Sequence, residues 1–318
     1  MKLYQIDNNA LISAPAHDFP LERDLQVLAE ANLATLWGLE CVASEFALKQ
    51  FRMDTLAFDR EARAFVVIEY KRGSNHSVVD QGMTYLNLAL NHKADLVLAY
   101  NERDERAGVT PLRKDDVDWS QTRVMVVSAA FTKFQREALA LKNLPIELWE
   151  VRRFAGDRLV VQQLHNDEGA ASFNELAVNV AGGDDAAMAL IQKEIKVYSE
   201  AELVAFGSAD TQEVYGLFKD AVLGMDAGLV VKANKHYVSF VGRRNVVDVQ
   251  IQKNGLKIML NLRKGELEDA KGLAKDVSSI GHLGNGDYQV ELYGNGYVVF
   301  FEYVLSLVRQ VLESDGRR

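Results

Sequence analysis

The stretch Ala64-Phe-Val-Val-Ile-Glu-Tyr70 constrains the fold more than any other part of this chain, because it is β-branched, aromatic and almost continuously apolar. Such a run reads as a strand covered on both sides, since a strand with one wet face alternates apolar and polar residues. Phe51-Arg-Met-Asp-Thr-Leu-Ala-Phe58 does alternate, and the polar link from Asp59 to Arg63 makes the two runs a hairpin. After Lys71 the segment Arg72-Gly-Ser-Asn75 breaks the strand. Val79, Met83, Leu86 and Leu90 then recur three or four residues apart, which predicts a helix over 78–90.

Leu21, Leu25, Leu28, Leu33 and Leu36 lie close to a helical stripe, so an amphipathic helix is expected from Leu21 to Leu36 with Glu22 in its first turn. Further strands are expected at Asp95 to Tyr100, 123–128, Ile146 to Arg152 and Arg158 to Gln163, with a helix from Phe131 to Leu141. Strands alternating with helices predict an α/β (α+β) class, a mixed sheet with helices on both faces. From His165 to Ala189 the composition shifts to Asn, Asp, Gly and Ala, including Ala181-Gly-Gly-Asp-Asp185, which reads as a connector. The expected organisation is a first domain over 1–165, a linker over 166–190 and a smaller α+β domain over 191–318. The last is expected to hold helices over 187–206 and 211–223 and strands over 237–241, 246–252 and 257–262. A final helix is expected over 297–312, unless its first residues extend a hairpin turned at Asn295-Gly296.

At 318 residues the chain has material for two cores. No stretch approaches the roughly 20 apolar residues of a membrane span, and Met1 to Ile12 has no signal-peptide pattern, so a cytoplasmic protein with no membrane partner is expected. The single cysteine, Cys41, allows neither an internal disulfide nor a cysteine-based zinc site, and among Leu39, Val42 and Ala43 it reads as a buried structural thiol. The six histidines show no close ligand spacing. A net charge of −9 counts against nucleic-acid binding, where Lys and Arg dominate affinity. The first 165 residues, however, carry 20 basic residues against 23 acidic ones, and acids that ligate a cation reverse the local sign.

Asp54 interrupts a strand where Asp is disfavoured, and Glu69 and Lys71 lie two apart, hence on one face, at the end of the most hydrophobic strand. Pairing the two strands about the 59–63 link brings Asp54 nearly opposite Glu69. Like charges facing each other across a sheet destabilise it. Lys71 compensates in part, and a divalent cation would compensate further; carboxylate oxygens with few protein ligands suit Mg²⁺ or Mn²⁺. The plain alternative is a surface ion-pair network on an open sheet face. Arg52, two residues before Asp54, and Gln81 on the following helix give the cluster a context that an isolated Glu-x-Lys lacks.

Arg52-Met-Asp54, then Glu69-Tyr-Lys71, then Asp80-Gln81 and Tyr85 on a helix, resembles the PD-(D/E)XK nuclease superfamily, in the RecB-type and mismatch-endonuclease-like subgroup, over about residues 20–100. The literal Pro-Asp pair is replaced by Met53-Asp54. The resemblance implies a restriction-endonuclease-like fold, with Asp54, Glu69 and the backbone carbonyl of Tyr70 as ligands of Mg²⁺ or Mn²⁺. It implies Lys71 as catalytic lysine, Gln81 as a brace and Glu22, with Glu30 second, as the acidic residue of the preceding helix. Arg52 and Arg72 are candidate phosphate contacts, each equally readable as a solvated ion pair, and His76 reads as a surface histidine. The implied activity is metal-dependent hydrolysis of nucleic acid, DNA in preference, in repair or defence, with a homodimer as one candidate assembly. The alternative is an inactive nuclease-fold module that binds nucleic acid or protein. A small-molecule enzyme has no cofactor motif behind it.

In the second half, Asp276-Val-Ser-Ser-Ile-Gly-His282-Leu-Gly-Asn-Gly-Asp287 lacks the Lys and helix of a phosphate-binding loop and reads as a structured turn region. This half resembles the uncharacterised C-terminal domain of bacterial proteins labelled as predicted transport proteins. Without a membrane span, transport is set aside in favour of a partner-binding or nucleic-acid-positioning module.

Overall fold

The structure is a computed structural model that describes residues 2–71, 78–103, 110–138, 144–164, 190–191, 193–196, 198–280, 284–293 and 296–317. The chain divides into two compact units, Met1–Val197 and Tyr198–Arg318. The first begins with strands β1 (Leu3–Asp7), β2 (Ala10–Ala14) and β3 (Ala16–His17), then helices α1 (Glu22–Glu30) and α2 (Leu33–Trp37). Strands β4 (Leu39–Leu48), β5 (Phe51–Asp59) and β6 (Ala64–Lys71) follow, then helices α3 (Val78–Asn91) and α4 (Lys93–Asn101). Strand β7 (Arg123–Ser128), the short helix α5 (Lys133–Ala138), β8 (Ile146–Phe154) and β9 (Arg158–Leu164) come next.

β1 and β2 pair only with each other, while the other seven strands form one mixed sheet in the order β3-β8-β7-β6-β5-β4, with β9 on β8. β6, β7 and β8 run parallel; β4, β5 and β6 are antiparallel. β6 is buried from Ala64 to Tyr70 because helices cover both its faces. Phe65 and Val67 pack with Tyr85, Leu86 and Leu90 of α3, whereas Val66, Ile68 and Tyr70 pack with Leu25 and Ala29 of α1. That two-sided burial is the reason its sequence is a continuous apolar run.

Three expected elements differ. The helix expected over 187–206 is broken, since residues 195, 196, 198 and 199 are not helical and a new helix capped by Ser199 starts at Glu200, while 187–189 lie outside the described residues. Asp95 to Tyr100 is not a strand but part of the helix α4, in which Leu96 and Tyr100, one turn apart, are the buried residues. Partly buried Val97 and Ala99 pack on the same core and blur the helical period in sequence. The expected helix from Leu21 to Leu36 is broken: Asn32 leaves α-helical geometry, and its side-chain amide donates to the Leu28 carbonyl at 2.8 Å. The α1 start is set by Asp24, whose carboxylate accepts the Leu21 N–H at 2.9 Å.

Cys41 also departs from expectation, being exposed rather than buried. A bulge between Cys41 and Ala43 shifts the β4–β5 register, so Val42 turns into the core in its place. The same irregularity, by interrupting the two-residue alternation, hides β4 in the sequence.

Ile191 and Ile195 are buried in the core of the first unit, and Glu194 pairs with Lys93 at 2.7 Å. These residues, expected to open the second domain, therefore belong to the first unit, whose boundary lies at Val197, while 165–189 of the expected connector lie outside the described residues. The second unit has helices α6 (Glu200–Val204) and α7 (Ala209–Leu223), then strands β10 (Val230–Ala233), β11 (Val238–Val241), β12 (Asn245–Gln252) and β13 (Gly255–Leu260). β14 (Lys275–Asp276), β15 (Tyr288–Tyr293) and the helix α8 (Gly296–Arg317) end it. Its six strands are antiparallel in the order β10-β11-β12-β13-β15-β14, and α7 and α8 pack Phe218, Val304 and Val308 into one core with them. Buried Asp248 accepts from Ser239, Asn245 and the Asn285 backbone, which pins the glycine-rich turn to the sheet. Gly286 is required there: its φ is +84°, and a Cβ would meet the Leu260 carbonyl at 2.0 Å. Among the described residues, no helix is long and apolar enough to cross a membrane.

Leu25 is 2% exposed and anchors α1 to β6. Leu25→Ala should cost about 2–5 kcal/mol and lower the first unit's Tm on the order of 10 °C, measured by thermal unfolding; an unchanged Tm would mean that α1 does not hold the sheet.

Candidate active site

β5 and β6 pair through Thr55↔Ile68, the register that next brings Asp54 opposite Glu69. The ladder stops there because the Asp54 side chain takes over: its Oδ2 accepts the Tyr70 backbone N–H at 2.9 Å. The Tyr70 ring is fully buried on the α1 side of the sheet, so the backbone between Glu69 and Lys71 is anchored from below. The Thr55 hydroxyl donates to Glu30 at 2.5 Å and lies 3.4 Å from the Tyr70 hydroxyl. Glu30 is thereby occupied in bracing α1 against β5.

Glu69 is 5% exposed and faces α3. Its Oε1 accepts from Lys71 Nζ at 2.6 Å and from Gln81 Nε2 at 2.5 Å, while its Oε2 is buried without a hydrogen-bond partner. Gln81 Nε2 also donates to the Tyr85 hydroxyl at 2.9 Å, which in turn donates to the Arg52 carbonyl at 3.0 Å. One relay therefore runs from β5 through α3 to Glu69. The Gln81-to-Tyr85 spacing of one helical turn is visible in the sequence; that Tyr85 reaches back to β5 is not. Gln26 was also missed by sequence reasoning: its amide donates to the Asp54 carbonyl at 3.1 Å and to Glu45 at 3.2 Å. Gly82 admits the close approach of α3 to β8, since a Cβ there would stand 2.8 Å from Ile146 Cδ1.

The Asp54 carboxyl is pushed up to about 7, chiefly by burial and then by the Glu69 charge, with the Tyr70 N–H and Lys71 opposing. A half-buried carboxylate that resists ionising beside a second with an unsatisfied oxygen is a pair short of positive charge. As hard oxygen donors the two carboxylates fit a divalent cation, with water filling the remainder.

Glu22 and Lys71 line one cavity of about 90 Å³ with Asp18 and Phe19. At roughly 10–15 Å³ of such volume per molecule, it has room for several waters. Among the described residues no three His, Cys, Asp or Glu side chains assemble as a metal cage, so Glu22 does not close on the Asp54 and Glu69 pair. Arg52 lies exposed and ion-paired with Glu45 at 3.0 Å. Arg72 and His76 lie outside the described residues.

Comparison with known proteins places the whole chain. An "uncharacterized protein" of Haemophilus influenzae (strain ATCC 51907 / DSM 11121 / KW20 / Rd) is 42% identical over 313 residues, covering 98% of this chain and 100% of the relative. The chain belongs to that protein's family. Both units therefore recur together in one relative. A domain of unknown function, DUF5655, matches residues 200–292, within the second unit. No solved structure matches the chain.

The raised Asp54 pKa has a signed consequence. Between about pH 4 and about pH 7 the folded chain keeps a proton on Asp54 that the unfolded chain releases, so this group's contribution to stability is lost as pH rises through 7. In EDTA, Asp54→Asn should remove that pH dependence and melt above the wild type at pH 8 but level with it at pH 4. A variant that melts below the wild type at pH 8 would refute the electrostatic account.

Proposed function

We propose that the first unit is a divalent-metal-dependent phosphodiesterase acting on nucleic acid, DNA in preference, in the manner of the PD-(D/E)XK nucleases it resembles. The observation that carries this reading is the divided state of Glu69. One oxygen is locked by Lys71 and Gln81, while the other is buried and unsatisfied beside the Asp54 carboxyl. A surface ion-pair network would leave neither oxygen buried, and Lys71 itself is only 14% exposed.

Asp54, Glu69 and the Tyr70 carbonyl would hold the ion, with Glu22 on the adjoining cavity wall. When bound, Mg²⁺ or Mn²⁺ polarises a phosphodiester and lowers the pKa of a coordinated water. The chain's own groups do the rest. Lys71 presents an ammonium between Glu69 and the cavity, placed to orient a water and to stabilise charge forming on the phosphate. Gln81 and Tyr85 hold the Glu69 carboxylate in one rotamer, so its free oxygen is aimed before any substrate arrives. The absence of a three-acid cage among the described residues favours one competing reading, a nuclease-fold module that binds nucleic acid without cutting it.

Plasmid and single-stranded DNA with Mg²⁺ or Mn²⁺ separate the two. Cleavage is expected in the wild type, with a loss of about 10²–10⁴-fold in Lys71→Ala and no detectable cutting in Glu69→Ala. Tyr85→Phe, which keeps the ring and removes the link to Arg52, should cost roughly 10–100-fold. Tight binding with no cleavage by the wild type under either metal would leave only the binding module. Crystals grown with Mn²⁺ should show anomalous density between Asp54 and Glu69.

A further inference from the structure

Parallel pairing carries the candidate site sideways along the sheet. Lys71 is in register with Ser128 of β7, and Ser128 with Glu150 of β8. Two strand spacings put Glu150 about 10 Å from Lys71, on the same face. Glu150 continues the side of β8 from which Ile146 and Leu148 enter the α3 core.

Glu150 is a buried carboxylate, and two guanidiniums hold it. Arg136 of α5 donates to Oε1 at 2.9 Å, and Arg152 of β8 donates to Oε2 at 2.7 Å. The two arginine side chains remain 49% and 28% exposed. Each guanidinium has five N–H donors and gives Glu150 one terminal nitrogen, so further donors stay available on both. A buried carboxylate paired with partly exposed arginines brings little net stability, so core stability does not explain the triad. What it does achieve is two arginine forks held in place before a ligand arrives, in the geometry that suits phosphate oxygens. With two positive charges and one negative, it is a local cationic spot on a chain of net charge −9.

We propose that Arg136 and Arg152 bind the nucleic-acid backbone, contacting phosphates next to the one held at Lys71, with Glu150 positioning both. This rests on the nuclease reading of the first unit. Successive phosphates along a strand lie farther apart than the roughly 3.4 Å axial rise per nucleotide, so a 10 Å offset reaches a phosphate close to the reacting one.

The full chain binding a short DNA duplex in EDTA, followed by fluorescence anisotropy from 50 to 200 mM salt, tests the proposal. Arg136→Gln and Arg152→Gln should each weaken binding several-fold and each reduce the slope of log K against log salt by about 0.9, the signature of one lost phosphate contact. A purely structural ion pair would leave that slope unchanged in folded variants. Phenylglyoxal modification of the wild type, read by mass spectrometry, does not depend on variant folding: duplex DNA should protect Arg136 and Arg152. Wild-type slopes in both variants, or no protection, with wild-type cleavage intact, would overturn this proposal and leave the nuclease reading standing. A wild type that neither binds nor cuts DNA would overturn both.

Discussion

Everything in the first unit depends on the burial of β6 between two helical layers. Phe65 and Val67 reach one core and Val66, Ile68 and Tyr70 the other, so this strand's position is fixed from both sides. Glu69 and Lys71 sit at its end, where apolar burial gives way to a cavity. A carboxylate in that place loses solvation, and the neighbouring groups answer that deficit. Lys71 and Gln81 satisfy one oxygen, the other is left bare, and Asp54 across the ladder is made reluctant to ionise.

The rigidity of this arrangement comes from backbone anchors more than from the charged groups themselves. Tyr85 ties α3 to the Arg52 carbonyl, Gln26 ties α1 to the Asp54 carbonyl, and Asp54 holds the Tyr70 N–H. Each bond joins elements far apart in sequence, so the site assembles only after both helical layers have docked. The parallel strands β7 and β8 extend the same face beyond Lys71, and Glu150 repeats there, with two arginines, the motif of a buried carboxylate gathering cations.

Much of this was legible from residue spacing. The Phe51 to Tyr70 hairpin, the helix after Lys71 and the near opposition of Asp54 and Glu69 follow from strand and helix periods, and all three are present. Elements whose pattern was masked were not legible. β4 was hidden by its bulge, and α4 was taken for a strand because Val97 and Ala99 pack beside Leu96 and Tyr100. Cys41 was misplaced for the same reason as β4: one extra residue exchanges the inside and outside of a strand.

The sequence by itself determined which chemical groups share a face: Glu69 with Lys71 through the two-residue strand repeat, and Gln81 with Tyr85 through the helical one. Only the tertiary structure decided what each group experiences there. It left one Glu69 oxygen unpartnered, raised the Asp54 carboxyl, occupied Glu30 with Thr55, and placed Glu22 on the cavity wall beside Lys71. The reason is physical. Periodicity is a property of the local backbone, whereas desolvation and hydrogen-bond partnership come from atoms that the chain brings in from tens of residues away.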